Sequence, residues 1–192
     1  MWMKNEDELV GEVLQGDHSS FEQLLRPYRQ GLLNMAYRMT GNLEEAKEVC
    51  QDALIKVYKY LHRFKRGKSF KSWAYRITIN SAYDFLRKKK RFEDTVQMQK
   101  DLEWSHSPDP ERQFRNKEIQ DRIETCLKNL SPREKAVFLL RDGDGFSVKE
   151  TSRILNCSLL SVRTHLSRAR KEIRAQFERM NLGYNEEVKN EV

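Results

Sequence analysis

The sequence predicts an all-α chain of two small helical domains joined by an acidic, flexible linker, with a helix-turn-helix in the C-terminal domain. Three observations predict it. Apolar residues recur at spacings of three and four through almost every segment, with no sustained period-two alternation. That periodicity fades from Phe92, and Ser107-Pro108-Asp109-Pro110 disfavours helix and holds the chain extended. Near the C-terminus two Ser-x-x-Glu capping boxes follow one another closely, the mark of short consecutive helices. The predicted boundaries are 1–91 for the first domain, 92–114 for the linker, 115–180 for the second domain and 181–192 for a tail.

Each element has its own signal. Ser19-Ser20 can cap a helix bearing Phe21, Leu24, Leu25, Tyr28, Leu32, Met35 and Ala36, which Gly41 ends. Asn42 can cap the next, with Glu44 and Glu45 in its first turn where the helix dipole favours acids. Its apolar face is Leu43, Ala46, Val49, Ala53, Val57 and Leu61. Lys65-Arg66-Gly67-Lys68-Ser69 reads as a loop, and Ser69 or Phe70 opens a long helix to about Arg91. After the linker, helix resumes near Arg115 with Ile119, Ile123, Cys126 and Leu127. Ser131-Pro132-Arg133-Glu134 combines a capping box with proline at the first helical position. Asp142-Gly143-Asp144-Gly145 must turn. Phe146 and Arg153 occupy positions where a calcium loop needs ligands, so no calcium site is expected. Ser147 to Glu150 opens a short helix that ends at Asn156, a residue tolerant of the left-handed region. Ser158 then caps a helix with Leu159, Val162, Leu166, Ala169, Ile173 and Phe177 on its core face.

Composition narrows the function. The longest apolar run, Ala136–Leu140, falls far short of the roughly 20 residues that span a bilayer. The acidic opening segment has no apolar stretch, so no secretory signal is expected. Cys50, Cys126 and Cys157 form no CxxC, which suits reduced thiols in a cytoplasmic protein. The four histidines have no metal-ligand spacing, and neither metal nor cofactor is expected. The net charge is +7, but its distribution says more. Residues 1–25 carry six acids and one lysine; residues 62–91 carry eleven Lys/Arg against Asp84 alone. Residues 92–111 are acidic again, and residues 158–179 carry six Lys/Arg against two glutamates. Two separate basic blocks suggest two places where phosphates are met.

The last helix leaves Ser161, Arg163, Thr164, Ser167, Arg168 and Lys171 pointing away from its apolar stripe. Arginine can contact guanine O6 and N7 in bidentate fashion, and serine or threonine can reach base edges or phosphates. The N-terminus of the preceding helix, at Ser147 and Val148, offers amides to a phosphate. In the middle block aromatic rings are interleaved with basic residues, a pattern that can stack unpaired bases. Helical spacing with Phe70 and Ile77 places Trp73 in the core. Tyr75, Arg76, Asn80 and Tyr83 are the exposed candidates.

These residues resemble the bacterial sigma factors of the extracytoplasmic-function group. Phe64 to Arg91 is similar to that family's F-x-x-W-x-Y-R-I-x-x-N-x-x-x-D-x-x-R region, and Leu43 to Leu54 resembles its polymerase-binding helix. Leu130 to Ile173 is similar to its fourth conserved region. The resemblance implies a −10-binding set of Phe64, Lys65, Arg66, Lys68, Tyr75, Arg76, Ile77, Asn80, Tyr83, Asp84, Arg87 and Lys88. Of these, Phe64, Ile77 and Asn80 would hold a flipped base, whose extrusion costs a few kcal/mol. It implies that Ser147, Ser161, Arg163, Thr164, Ser167, Arg168 and Lys171 meet the −35 element. It also implies that Glu45, Glu48, Val49, Gln51, Asp52 and Ile55 face core polymerase. The implied partners are core RNA polymerase (beta-prime coiled coil and beta flap), double-stranded promoter DNA, the melted non-template strand and an anti-sigma factor. Nucleotide addition would belong to the polymerase, and this chain would catalyse nothing.

Two other classes compete. A LuxR-type regulator shares the Leu130-Ser131-Pro132-Arg133-Glu134 opening but needs an effector domain with β/α alternation, which the N-terminal half lacks. A nuclease would need paired carboxylates for metal, and the basic block holds only Asp84.

Overall fold

The computed structural model describes the backbone of residues 5–97 and 125–190, and the side chains of 5–92 and 125–179. Most of the expected linker, including its two prolines, and the helix expected from Arg115 through Ile119 and Ile123 lie outside the described residues, as do the last two residues of the tail.

Five helices build the N-terminal part. The first, α1 (Glu6–Leu14), carries no long apolar stripe and escaped the periodicity reading. It forms because Asn5 and Glu8 make a reciprocal capping box, and it buries Leu9, Val10 and Val13. The single helix expected from Ser19 to Gly41 is instead two, α2 (His18–Leu25) and α3 (Arg29–Thr40). Pro27 separates them: it has no N–H to continue the ladder, and its ring clashes with the preceding turn. Asp17, not Ser19 or Ser20, caps α2; the buried Ser20 hydroxyl instead donates to Glu12 and Asp17. Gly41 ends α3 at φ +77°, where a side chain would be strained. Asn42 caps α4 (Leu43–Tyr60) by accepting from the Glu44 and Glu45 amides.

A 3-10 turn (Leu61–Arg63) and the 65–69 loop lead into α5 (Phe70–Gln97). This helix runs past Arg91, where the linker was expected to begin. Leu24, Leu32, Met35, Met39, Val49, Val57, Leu61, Phe70 and Ile79 fill the space between α2, α3, α4 and α5. Phe64, Phe70, Trp73 and Tyr28 make a connected aromatic group with centroids 5.4–5.8 Å apart.

The C-terminal part is tighter. Its first full helix, α6 (Pro132–Phe138), starts at the expected Ser131–Glu134 box and passes into a π turn (Leu139–Gly143). That turn closes with the Asp144 amide donating to Leu139 O at 2.8 Å and the Phe146 amide to Leu140 O at 2.9 Å. Helix α7 (Val148–Leu155) has the expected Ser147–Glu150 box and ends at Asn156, φ +49°. Ser158 Oγ accepts from the Ser161 amide at 3.0 Å and starts α8 (Leu159–Asn190), whose backbone takes in most of the expected tail. Val137, Val162 and Leu166 pack α6 on α8. Leu159, expected in the core, is about half exposed at the first position of α8.

The two parts touch, which the linker reading did not anticipate. Phe146 lies edge-on to Tyr75 of α5 at 5.1 Å, with Lys71 Nζ 4.6 Å above its ring. Arg38 pairs with Asp144 at 2.7 Å, Lys135 Nζ donates to Met39 O at 3.3 Å, and Tyr83 OH donates to Pro132 O at 3.4 Å. One apolar cluster therefore continues from Leu32 and Ile79 through Tyr75 to Phe146, Leu140 and Ile154.

Candidate nucleic-acid interface

Helix α8 positions the expected reading face. Arg163, Thr164, Ser167, Arg168 and Lys171 are exposed and Ser161 is half-buried, all opposite the buried Val162, Leu166 and Ala169. Two rows emerge from the helical period: Ser161, Thr164, Arg168 and Lys171 on one side, Arg163, Ser167 and Arg174 on the other. Arg163, Ser167, Arg170, Lys171 and Arg174 line a shallow basic groove over Leu166. Arg170 is committed within it, holding Asp142 through two hydrogen bonds of 2.7 and 2.8 Å. Ser147 is exposed, but its hydroxyl is engaged in the cap, accepting from the Glu150 amide at 3.2 Å. Hydrogen bonds from Ser147 hold the Glu150 carboxyl below its ordinary range. Hydrogen bonds from Ser131 do the same for Glu134 against the cost of its burial, helped by the charges of His165 and Arg168 nearby.

The sequence reading missed Leu160. It is 72% exposed on the first turn of α8, beside the half-exposed Leu159. The signal was available, since a second leucine beside a cap falls outside the apolar stripe.

The middle basic block splits in two. Lys65, Arg66, Lys68, Arg76, Asn80, Arg87 and Lys88 are exposed and remain candidates. Asp84 is half-buried between Arg87, its ion-pair partner, and Lys56, 4.0 Å away. Tyr75 is a correction. Expected as an exposed stacking ring, it is 4% exposed and sealed under Phe146; burial, and then Asp144, push its hydroxyl up to about 12. Tyr83 is half-buried against Pro132, and burial pushes its hydroxyl to about 12 as well. Phe64 is buried on Phe70 and Trp73, while Ile77 is half-buried. Trp73 is half-buried and packs on the core, as its spacing predicts.

Helix α4 presents a different surface. Glu48, Gln51, Asp52 and Ile55 form an exposed stripe, Ile55 at 59%, with Tyr58 beyond it. Val49 is a second correction: it lies in the core on the opposite side of the helix. Two of the acids already have partners, one on α5 and one on α4 itself. Glu45 pairs with Lys89 at 2.6 Å, and Asp52 with Lys56 at 2.7 Å. Burial raises the Asp52 carboxyl, but hydrogen bonds from Lys56 and Ser81 outweigh it and hold it low. Glu48 is the exposed acid at the centre of the stripe.

Among the described residues no group of His, Cys, Asp and Glu could hold a metal, and no helix is long and apolar enough to cross a membrane.

Known proteins resemble this chain in sequence and in fold. The family model for sigma-70 region 2 matches residues 24–92, and that for sigma-70 region 4 matches residues 120–173. The chain is 30% identical to RNA polymerase sigma factor YlaC of Bacillus subtilis, over 81% of this chain and 90% of that one. It is 28% identical to RNA polymerase sigma-H factor of Pseudomonas aeruginosa, over 88% and 92%. Its fold is similar to CnrH in complex with the cytosolic domain of CnrY (TM-score 0.68, 20% identity, 91% and 98% covered). It is also similar to RpoE with the anti-sigma factor NepR from Bartonella quintana (TM-score 0.67, 23% identity, 82% and 96% covered).

Proposed function

The chain belongs to the extracytoplasmic-function group of the sigma-70 family and serves promoter-specific transcription initiation; from that premise we propose how its surfaces divide the work. The LuxR-type alternative is not supported, since region 2 occupies the place where an effector domain would stand. Helix α8 reads the −35 duplex. Its N-terminal turns enter the major groove as in other helix-turn-helix proteins. Arg163, Thr164, Ser167 and Arg168 meet base edges there, and Lys171 meets the backbone. The Ser147 end of α7 receives a phosphate. Leu160 offers an apolar contact to a thymine methyl. The 65–69 loop, Arg76, Ile77 and Asn80 take the melted −10 strand, with Arg87 and Lys88 on phosphates.

The α4 stripe of Glu48, Gln51, Asp52 and Ile55 docks on the beta-prime coiled coil of core polymerase, and the second domain reaches the beta flap. The similar folds solved with bound regulators support an anti-sigma factor as a further partner. Nucleotide addition stays with the polymerase, and the cytoplasm, where that enzyme works, is the proposed location.

The observation that carries this division is the exposed Arg/Thr/Ser face of α8 set apart from a second basic face on α5. Run-off transcription with purified core polymerase on a promoter library tests it. Transcripts from a subset sharing two spaced elements are expected; RNA from no template, or equally from all, would overturn the reading.

Glu48→Arg isolates the polymerase surface, because Glu48 takes part in no ion pair among the described residues. Charge reversal at the centre of the stripe should weaken core binding at least tenfold, about 1.4 kcal/mol. Melting should be unchanged. Titration of labelled core measures it, and wild-type affinity would remove α4 from the assignment.

A further inference from the structure

The acidic N-terminal segment has no role in the division above, yet α1 reaches the loop on which that division depends. Both Oδ atoms of Asp7 accept from the Gly67 amide, at 3.2 and 3.1 Å. Glu6 Oε2 accepts from the Phe70 amide at 3.4 Å, satisfying a free donor at the start of α5. Glu6 Oε1 also accepts from the Tyr28 hydroxyl, tying α1 to the aromatic group beneath the loop. Arg66 lies over Gly11, so close that an added Cβ there would meet its guanidinium at 3.0 Å. Gly67 itself sits at φ +73°, in the left-handed region.

The two carboxylates reach across 60 and 64 residues of sequence to Gly67, inside the 65–69 loop, and to Phe70, immediately after it. Lys65, Arg66, Gly67, Lys68 and Ser69 are all exposed, and no apolar packing holds them. A backbone hydrogen bond at such a site competes with water. A carboxylate acceptor makes it stronger than a neutral group would.

We propose that Asp7, with Glu6, is a positioning residue: it locks the 65–69 loop in the shape that receives the melted −10 strand. The proposal rests on the assignment of that loop to the −10 element. The chosen group has a second effect. A negative charge beside Lys65, Arg66 and Lys68 weakens the loop's attraction for any phosphate. Asp7 therefore trades general affinity for base selectivity, and the two effects separate on substitution.

The test uses the full chain assembled with core polymerase, with Asp7→Asn and Asp7→Ala beside wild type. Affinity is measured for promoterless duplex, and for forked templates whose single-stranded −10 segment is either the preferred sequence or a scramble. Both variants should bind promoterless duplex two- to threefold tighter at low salt. Asp7→Ala should lose about tenfold of the preference for the −10 sequence. Asp7→Asn keeps an acceptor oxygen and should retain most of it. Amide exchange at Gly67 in the free protein should quicken in Asp7→Ala and much less in Asp7→Asn, which reports the hydrogen bond without any DNA.

If Asp7→Ala keeps the full −10 preference, Asp7 acts through charge alone and the positioning role is overturned. If wild-type holoenzyme itself cannot tell the −10 sequence from its scramble while still initiating at specific promoters, the loop assignment fails and the proposal falls with it.

Discussion

Phe70→Ala should cost about 3–5 kcal/mol, the range for truncating a fully buried phenylalanine. Phe70 is wholly inaccessible and touches Tyr28, Phe64 and Trp73 with centroids 5.7–5.8 Å away. The cavity cannot close easily, because those rings are fixed by α3, the 3-10 turn and α5 on three sides. Small domains have stabilities of roughly 5–15 kcal/mol, so this change removes a large part of the total. Chemical denaturation should show a lower midpoint. Phe70→Leu, which keeps most of the volume, should lose under about 1.5 kcal/mol. Equal losses for the two variants would show that the aromatic group is not packed as described.

Arg168→Ala carries the largest expected effect on DNA. Arg168 is exposed and follows Ser161 and Thr164 along one row of α8, within reach of a major groove entered by the helix N-terminus. If its guanidinium spans a guanine, alanine should cost about 1–3 kcal/mol on the preferred −35 sequence and flatten preference at one base pair. Lys171 is one turn further on, where the helix leaves the groove. Lys171→Ala should weaken all sequences alike and lower the salt slope by about one. Binding of the full chain to single-base-substituted duplexes at two salt concentrations separates the two. Identical profiles would mean that both residues are merely basic surface.

What could be read from the sequence was local. Asn42, Ser131, Ser147 and Ser158 announce their helices because a cap is a bargain among residues two or three apart. Asn156 marks its turn by backbone tolerance alone. Pro27 was equally visible, but the continuous apolar spacing around it masked the break. Helix α1 was hidden for the opposite reason: its Asn5–Glu8 box is present, yet three buried residues make too short a stripe to count. The functional surfaces followed the same rule. The α8 face could be read because one helix determines which side is out. Tyr75 was misplaced because its cover, Phe146, comes from another part of the chain, and no periodicity encodes that meeting. Asp7 and Gly67 met unseen for the same reason.

That meeting of the two parts bears on how the protein comes apart. With Phe146 seated on Tyr75 and Arg38 holding Asp144, neither half can melt without uncovering apolar surface of the other. Separating them exposes Phe146 and Tyr75 to water, at about 25 cal/mol for each Å² of apolar surface uncovered. Heat therefore meets one cooperative unit, with calorimetric and van't Hoff enthalpies in agreement, rather than two transitions. Damage to the aromatic group around Phe70 is thus felt by the helix-turn-helix, because Ala169 and Ile173 of α8 share its apolar cluster.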